Sequence, residues 1–272
     1  MSKKTIERSR ALVTGASSGI GAAFSKRLAQ DDYDLIIVAR RRDRLEALAG
    51  QLQKSHPIKV EVIVADLSQP DALRAVEKRV MEDTVLDLLV NNAGFGGYMP
   101  FVTLDPDKAE ELINLQVLAV TRLTRAALPG MIARGHGSII NVSSRLAFSG
   151  SMGSSQLPNR ATYAGTKAFV NTFTQLLQSE LGGTGVQVQA LCPGVVQTEF
   201  HERVGINPNR IPADIVMKPE EVVDASLVGL KIGEVICIPV LEESRLLAQI
   251  QESERQLFEL TRTGSLARRY RS

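Results

Sequence analysis

In the stretch YAGTK, Tyr163 and Lys167 stand four residues apart, which puts both on one side of a helix. A phenol and an ammonium placed so can move a proton to or from a bound molecule. A free phenol titrates near pH ~10 and is a poor base at neutrality, but a nearby positive charge favours the phenolate. The same spacing also suits two ordinary surface side chains, so its meaning depends on what surrounds the pair.

A second cluster opens the chain. RALVTGASSGIGAAFSKRLAQ puts Gly15, Gly19 and Gly21 directly after an apolar run and at the start of a helical pattern. Glycine there permits a tight turn, lets backbone approach a pyrophosphate and allows close helix–sheet packing. The helix start adds free N–H groups and a positive dipole end, and Ser17 and Ser18 add hydroxyls. Dinucleotide binding is the reading, with spacing T-G-x-x-x-G-x-G in place of G-x-G-x-x-G.

Both clusters need a frame, and the chain alternates strand and helix throughout. The runs RALVTG, DLIIVA, KVEVIVA, LDLLVNN, GSIINVS, GVQVQALC and EVICIPV predict about seven strands. Their near-continuous apolar character suits a parallel sheet buried on both faces. SQPD offers Ser68 as a helix N-cap, and DPDKAEEL offers Asp105 with Pro106 at the first helical position. Right-handed crossovers place helices on both faces, so the predicted fold is one doubly wound, Rossmann-type α/β domain over residues 1–272.

Composition narrows the function classes. The chain is large enough to bury a core without disulfides, and Cys192 and Cys237, both in strand-like runs, read as buried thiols. A formal net charge of +2 makes no case for nucleic acid or a membrane surface. His56, His136 and His201 are scattered without metal-ligand spacing, so no metal is expected. MSKKTIERSR lacks an apolar signal core and no run approaches membrane-spanning length, so a cytoplasmic protein is expected.

Taken in order, TGASSGIG, NNAG (residues 91–94), INVSS ending at Ser144, YAGTK and CPGVVQTEF (192–200) resemble the short-chain dehydrogenase/reductase family, in its classical branch. The resemblance runs over essentially the whole chain to about Val240. It implies an oxidoreductase that interconverts a carbonyl and a secondary alcohol by hydride transfer. Tyr163 would be the general acid/base, Lys167 would lower its pKa and hold the nicotinamide ribose, and Ser144 would polarise the carbonyl. Ser143 faces the other way in a regular strand.

The cofactor would meet Gly15, Ser17, Ser18, Gly19, Ile20 and Gly21 in the first loop. By resemblance Asp66 and Leu67 flank the adenine, and Asn92, Ala93 and Gly94 line the cleft. Pro193, Gly194, Val196 and Thr198 position the nicotinamide end. After the second strand, where a carboxylate would accept from the ribose of NAD, stand Arg40 and Arg41. A guanidinium fork suits a 2′-phosphate, so NADP(H) is expected.

Two departures stand out. The stretch between Ser144 and Tyr163 is longer than is usual in the family, and SGSMGSSQLPN offers Ser149, Ser151, Ser154 and Ser155 as rivals to Ser144. Placement at a rigid strand end favours Ser144. Where the family usually carries an asparagine that serves the proton relay, ELINLQVLAV has Gln116, so an altered relay is expected. Asn114 lies about 200° around an ideal helix from that position and cannot stand in for it.

Phe95, Tyr98 and Met99, then Phe148 and Met152, with loops 145–160 and 200–218, are expected on the substrate side. A partly apolar ketone or aldehyde follows. Leu246, Ile250, Leu257 and Leu260 predict an amphipathic C-terminal helix within 241–261, packed on the domain or on a second subunit. The family resemblance implies a homodimer or homotetramer. Two other readings share these motifs: oxidation of a steroid or sugar alcohol, and a non-catalytic NADP-binding sensor suggested by Gln116 and the enlarged loop.

Overall fold

The computed structural model describes residues 8–153, 158–200 and 211–271. The strands in chain order are β1 (Arg10–Thr14), β2 (Asp34–Ala39), β3 (Val60–Val64), β4 (Leu86–Asn91), β5 (Gly137–Val142), β6 (Val186–Leu191), β7 (Val195–Val196), β8 (Val216–Met217) and β9 (Ile236–Cys237). The helices are α1 (Gly19–Gln30), α2 (Arg42–Ser55), α3 (Pro70–Met81), α4 (Pro106–Ile113), α5 (Ala119–Arg134), α6 (Ala161–Glu180), α7 (Pro219–Lys231) and α8 (Arg245–Leu260). Seven strands form one sheet in the order β3-β2-β1-β4-β5-β6-β9, and β7 pairs with β8 apart from it. Every pairing is parallel.

Alternate residues of the central strands feed two cores. Ala11, Val13, Leu35 and Ile37 pack with Phe24 and Leu28 of α1, Leu45 of α2 and Val222 of α7. Leu12, Ile36 and Val38 pack on the other face with Val76 of α3 and Leu123 of α5. Both faces of β1 and β2 are thereby apolar, which is why these strands read as unbroken apolar runs. The chain runs outward from β1 to β2 and β3, then returns to add β4 on the other side of β1. That reversal opens a crevice beyond the carboxyl ends of β1 and β4, where such sheets bind ligands.

Local signals were mostly placed as expected. Asp105 caps α4, its carboxylate accepting from the Asp107 amide at 2.9 Å, with Pro106 at the first position. For α3 the cap is one residue later than expected: Gln69 precedes Pro70, and Ser68 instead donates its hydroxyl to Asp66 at 2.7 Å. Proline sets φ for the first helical residue, and so fixes the helix start at Pro70.

The residues up to Pro239 form one compact unit and those from Val240 a second. The Rossmann-type sheet, expected in one domain over residues 1–272, lies in the first unit, and the C-terminal helix falls in the second as α8. Leu246, Ile250, Leu257 and Leu260 are each exposed in the single chain. Among the described residues no helix is long and apolar enough to cross a membrane.

Candidate functional site

The crevice beyond β1 and β4 is a cleft of about 580 Å³ running from the first glycine loop to Tyr163. At one end Gly15 and Gly19 take φ of +68° and +54°, in the left-handed region open to glycine. A Cβ on Gly15 would stand 2.7 Å from Asn92 Nδ2 and 2.9 Å from Ala93 Cα, so a side chain there would collide with the end of β4. Gly21 does not line the cleft. Its missing side chain lets α1 lie against Gly15 and Asn92, the latter 2.5 Å from where a Cβ would be. Ser18 precedes α1 in an extended conformation without using its side chain as a cap, and the first turn carries no acid. The amides at this helix start are therefore available to an anionic ligand.

Asn92 binds the loop to the sheet, its amide Nδ2 donating to Thr14 O at 2.8 Å. Thr14 Oγ1 accepts from the Asn92 and Ala93 amides at 2.9 and 3.0 Å. These bonds join the tips of β1 and β4 and shape the floor of the cleft.

The two arginines after β2 sit differently. Arg41 reaches the glycine loop, donating to Ser18 Oγ at 2.8 Å, Ser17 Oγ at 3.0 Å and Glu199 at 2.9 Å. Arg44 also pairs with Glu199. Arg40 is half-exposed and lies 3.5 Å from Asp66 and 3.4 Å from Glu111. Burial pushes the Asp66 carboxyl up, but hydrogen bonds from Ser68 and the Arg40 charge together hold it below the usual carboxylate range. Arg41, and not Arg40, is the guanidinium that reaches the glycine loop.

At the far end, Tyr163, Lys167, Ser143 and Ser144 are all buried. Ser143 Oγ donates to Lys167 O at 3.0 Å, and Lys167 Nζ donates to Val142 O at 2.8 Å. Both serines follow the end of β5 and line the cleft, so the strand alternation expected to turn Ser143 to the other face does not extend to them. Ser144 Oγ accepts from the Leu146 amide at 3.1 Å, which leaves the hydroxyl proton free to donate. Lys167 Nζ is 5.6 Å from the Tyr163 ring centroid. Burial brings the lysine down to about 8.

The expected lowering of the Tyr163 phenol does not arise from protein groups. Burial pushes it well above its usual value and the neighbouring Tyr98 adds to that, while Ser144 acts in the opposite direction. Desolvation of an acid outweighs a lysine whose own charge is disfavoured by the same burial.

Gln116 is buried in a π-helical turn, Asn114–Leu118, joining α4 to α5. Its Nε2 donates to Phe95 O at 2.6 Å and its Oε1 accepts from Thr166 Oγ1 at 3.2 Å. The amide thus ties the loop after β4 to α6, one residue before Lys167. Single-turn π segments recur at functional sites.

Of the expected site residues, all but Gly21 line the cleft. On the substrate side Phe95, Tyr98 and Phe200 line it too, with Tyr98 5.5 Å and Phe200 5.8 Å from the Tyr163 ring, centroid to centroid. Met99, Phe148 and Met152 do not. Met99 and Met152 are exposed, and the loop after Ser144 opens with a short 3₁₀ turn that ends at Phe148, outside the cleft. Ser149 spends its hydroxyl on Leu146 O at 2.6 Å and is no rival to Ser144. Ser151 is also away from the cleft. Ser154, Ser155 and residues 201–210 of the expected loop 200–218 lie outside the described residues. Sequence reasoning missed Arg145, Arg160 and Glu199, although adjacency to Ser144, to α6 and to Thr198 was a usable signal. Among the described residues there is no cluster of three metal-ligating side chains.

Comparison with known proteins agrees with this geometry. A family model described as short chain dehydrogenase matches residues 9–208. The very-long-chain 3-oxoacyl-CoA reductase of Anas platyrhynchos is 32% identical over 194 residues, which are 70% of this chain and 60% of that protein. A short-chain dehydrogenase from Sphingobium yanoikuyae, solved in complex with NADPH, superposes with a TM-score of 0.90 at 37% identity, over 96% of this chain and 100% of that one. The bulky-bulky ketone specific alcohol dehydrogenase from Comamonas testosteroni gives 0.87 at 34% identity, over 97% and 99%. The match to the whole sheet and its crevice, and not to the motifs alone, settles the assignment: the chain belongs to the short-chain dehydrogenase family.

Proposed function

We propose that the protein is an NADP(H)-dependent reductase of ketones. The observation that carries this reading is the placement of Tyr163 and Ser144 together at one end of a cleft whose other end is a glycine loop backed by Arg41. The lining fits the cofactor: the glycines leave room that a Cβ would fill, α1 presents free amides, and Arg40 and Arg41 bring positive charge for a 2′-phosphate. The solved relative with NADPH supports that choice.

When bound, the reduced nicotinamide supplies the hydride. The protein's part is to hold the carbonyl and provide the proton. Ser144, whose Oγ already accepts from Leu146, keeps its proton and donates a hydrogen bond to the carbonyl oxygen, which polarises it. Tyr163 releases its phenolic proton to that oxygen as negative charge develops there. Lys167, fixed by Val142 O, places a positive charge beneath the phenolate that results. Gln116 acts by position: it secures Phe95 on one side of the substrate and Thr166 next to Lys167 on the other. Alcohol oxidation uses the same groups in reverse.

The aromatic wall of Tyr98 and Phe200 favours a ketone with a large apolar or aromatic substituent. The names of the relatives, a reductase of 3-oxoacyl thioesters and a dehydrogenase of bulky ketones, support this class. The test is Tyr163→Phe, followed by NADPH absorbance over a panel of aryl and alkyl ketones. Turnover is expected to be lost with NADPH affinity held within a few-fold, as a phenyl ring keeps the packing. A variant with most of its activity intact would remove Tyr163 as the proton donor.

A further inference from the structure

Apart from Lys167, the positive side chains in and beside the cleft are arginines, and these divide into two groups. At the cofactor end each has an acid: Arg40 with Asp66 and Glu111, Arg41 and Arg44 with Glu199. At the substrate end stand Arg145 and Arg160, and among the described residues neither has a carboxylate partner. Arg160 lies with its guanidinium carbon 5.4 Å above the Tyr98 ring and gives one hydrogen bond to Pro158 O at 3.2 Å. Its Nε is shut off from solvent without any partner. Arg145 follows Ser144, and its backbone amide is anchored to Pro193 O at 3.1 Å. Its side chain runs past Gly194, where a Cβ would stand 3.8 Å from Cδ. Both arginines act on the Tyr98 hydroxyl, opposing the burial that pushes that phenol up to about 12. The first turn of α6, beginning just after Arg160, has no acid either.

Two guanidinium groups that line one end of the cleft without a carboxylate partner, Arg145 exposed and Arg160 partly buried, draw in a negative group. An orphaned buried donor adds to the demand for an acceptor. Building on the reductase reading above, we infer that Arg160 and Arg145 form an anion subsite, so that the substrates are ketones bearing a carboxylate a few bonds from the carbonyl. The spacing follows from the rings. Arg160 sits over Tyr98, which touches Tyr163, so its guanidinium is within about 11 Å of the Tyr163 ring. An aryl or alkyl group then fills the aromatic wall while the carboxylate meets the guanidinium fork.

Benzoylpropionate and benzoylbutyrate, each with its methyl ester, test this on the full chain. The measurements are kcat/KM with NADPH and binding of acid and ester by calorimetry. Both acids should be preferred over their esters, and that preference should fall on the order of tenfold in Arg160→Gln and again in Arg145→Gln, as loss of a charge-assisted hydrogen bond implies. Arg160→Lys should restore part of it, and thermal unfolding of each variant separates a folding defect from a lost contact. Esters reduced as well as acids, with a ratio unmoved by the variants, would overturn the anion subsite and leave the reductase reading standing. Acids that bind in an arginine-dependent way without being reduced would sustain the subsite and overturn the reductase. If nothing binds and nothing is reduced, both fall.

Discussion

Replacing Lys167 by methionine puts the site's chemistry in direct conflict with its stability. Lys167 is 6% exposed, and its ammonium has Val142 O as its hydrogen-bond acceptor. Burial lowers it from the ordinary 10.5 to about 8. At about 1.4 kcal/mol per pH unit, that gap is a penalty of about 3 kcal/mol for keeping the charge inside the fold. Its sign fixes the pH dependence. The folded value is the lower one, so between pH 8 and 10.5 the unfolded chain holds more protons, and stability rises with pH across that window. Below about pH 8 the whole penalty acts against folding. Methionine removes the charge and keeps most of the apolar stem, while the lost bond to Val142 O costs about 1 kcal/mol. Near neutral pH the variant should therefore be the more stable by about 2 kcal/mol, though inactive. Urea unfolding at about pH 7 and pH 9.5 reads this out. The advantage of Lys167→Met should shrink by about 2 kcal/mol over that range as the wild-type lysine discharges. Taking the difference between the two proteins cancels groups common to both, such as Cys237, pushed up to about 12 by burial. A difference that stays constant with pH, or a variant less stable at neutrality, would refute the argument.

Gln116→Leu strands the part-buried Phe95 carbonyl, while Thr166 keeps Tyr163 O as an acceptor, so urea unfolding should show a loss of about 2 kcal/mol. Gly21→Ala changes no residue of the cleft lining, yet its methyl meets Gly15 O and Asn92; displacement of the loop should weaken NADPH binding about tenfold in a fluorescence titration. Glu199→Gln removes the carboxylate that faces Arg41 and Arg44, and should tighten NADPH about tenfold with little change for NADH, by the same titration.

What was legible in the sequence was whatever residue type alone determines. Glycines that tolerate positive φ and apolar runs buried on two faces kept their meaning in three dimensions, and Tyr163 and Lys167 came together on α6. What was illegible depended on direction or on environment. Arg40 and Arg41 are adjacent and alike, and the extended conformation of Arg41 (φ −93°, ψ 97°) ahead of α2 is what goes with its reach toward Ser17. The substitution at Gln116 was visible, but its consequence was not. A π-helical turn inserts into a helix with hardly any change in apolar pattern, and it changes where a long amide can point. Phe148 and Met152 looked like substrate contacts because apolar residues in an enlarged loop suggest a lid, but the cleft is lined by Arg145, Leu146 and Arg160 of that loop and not by these two.

The Tyr163 phenol shows how these two kinds of information combine. Its partners were read from the sequence, yet the balance among them belongs to burial, which pushes the phenol up and the lysine down together. That coupling follows from how α6 is attached. Ser143 takes its backbone bond from β6, its amide donating to Leu191 O at 2.7 Å, and holds Lys167 O with its hydroxyl. Val142, one residue earlier, holds Lys167 Nζ. Lys167 is thus clamped at both its backbone and its side-chain tip to the last residues of the β5 region, and Tyr163, one turn before it, lies over Ser144. The clamp that sets Tyr163 in register with Ser144 is also what buries the charge. A substitution that solvates the lysine enough to ease its burial must therefore loosen the register, and positioning and desolvation cannot be tuned separately at this site.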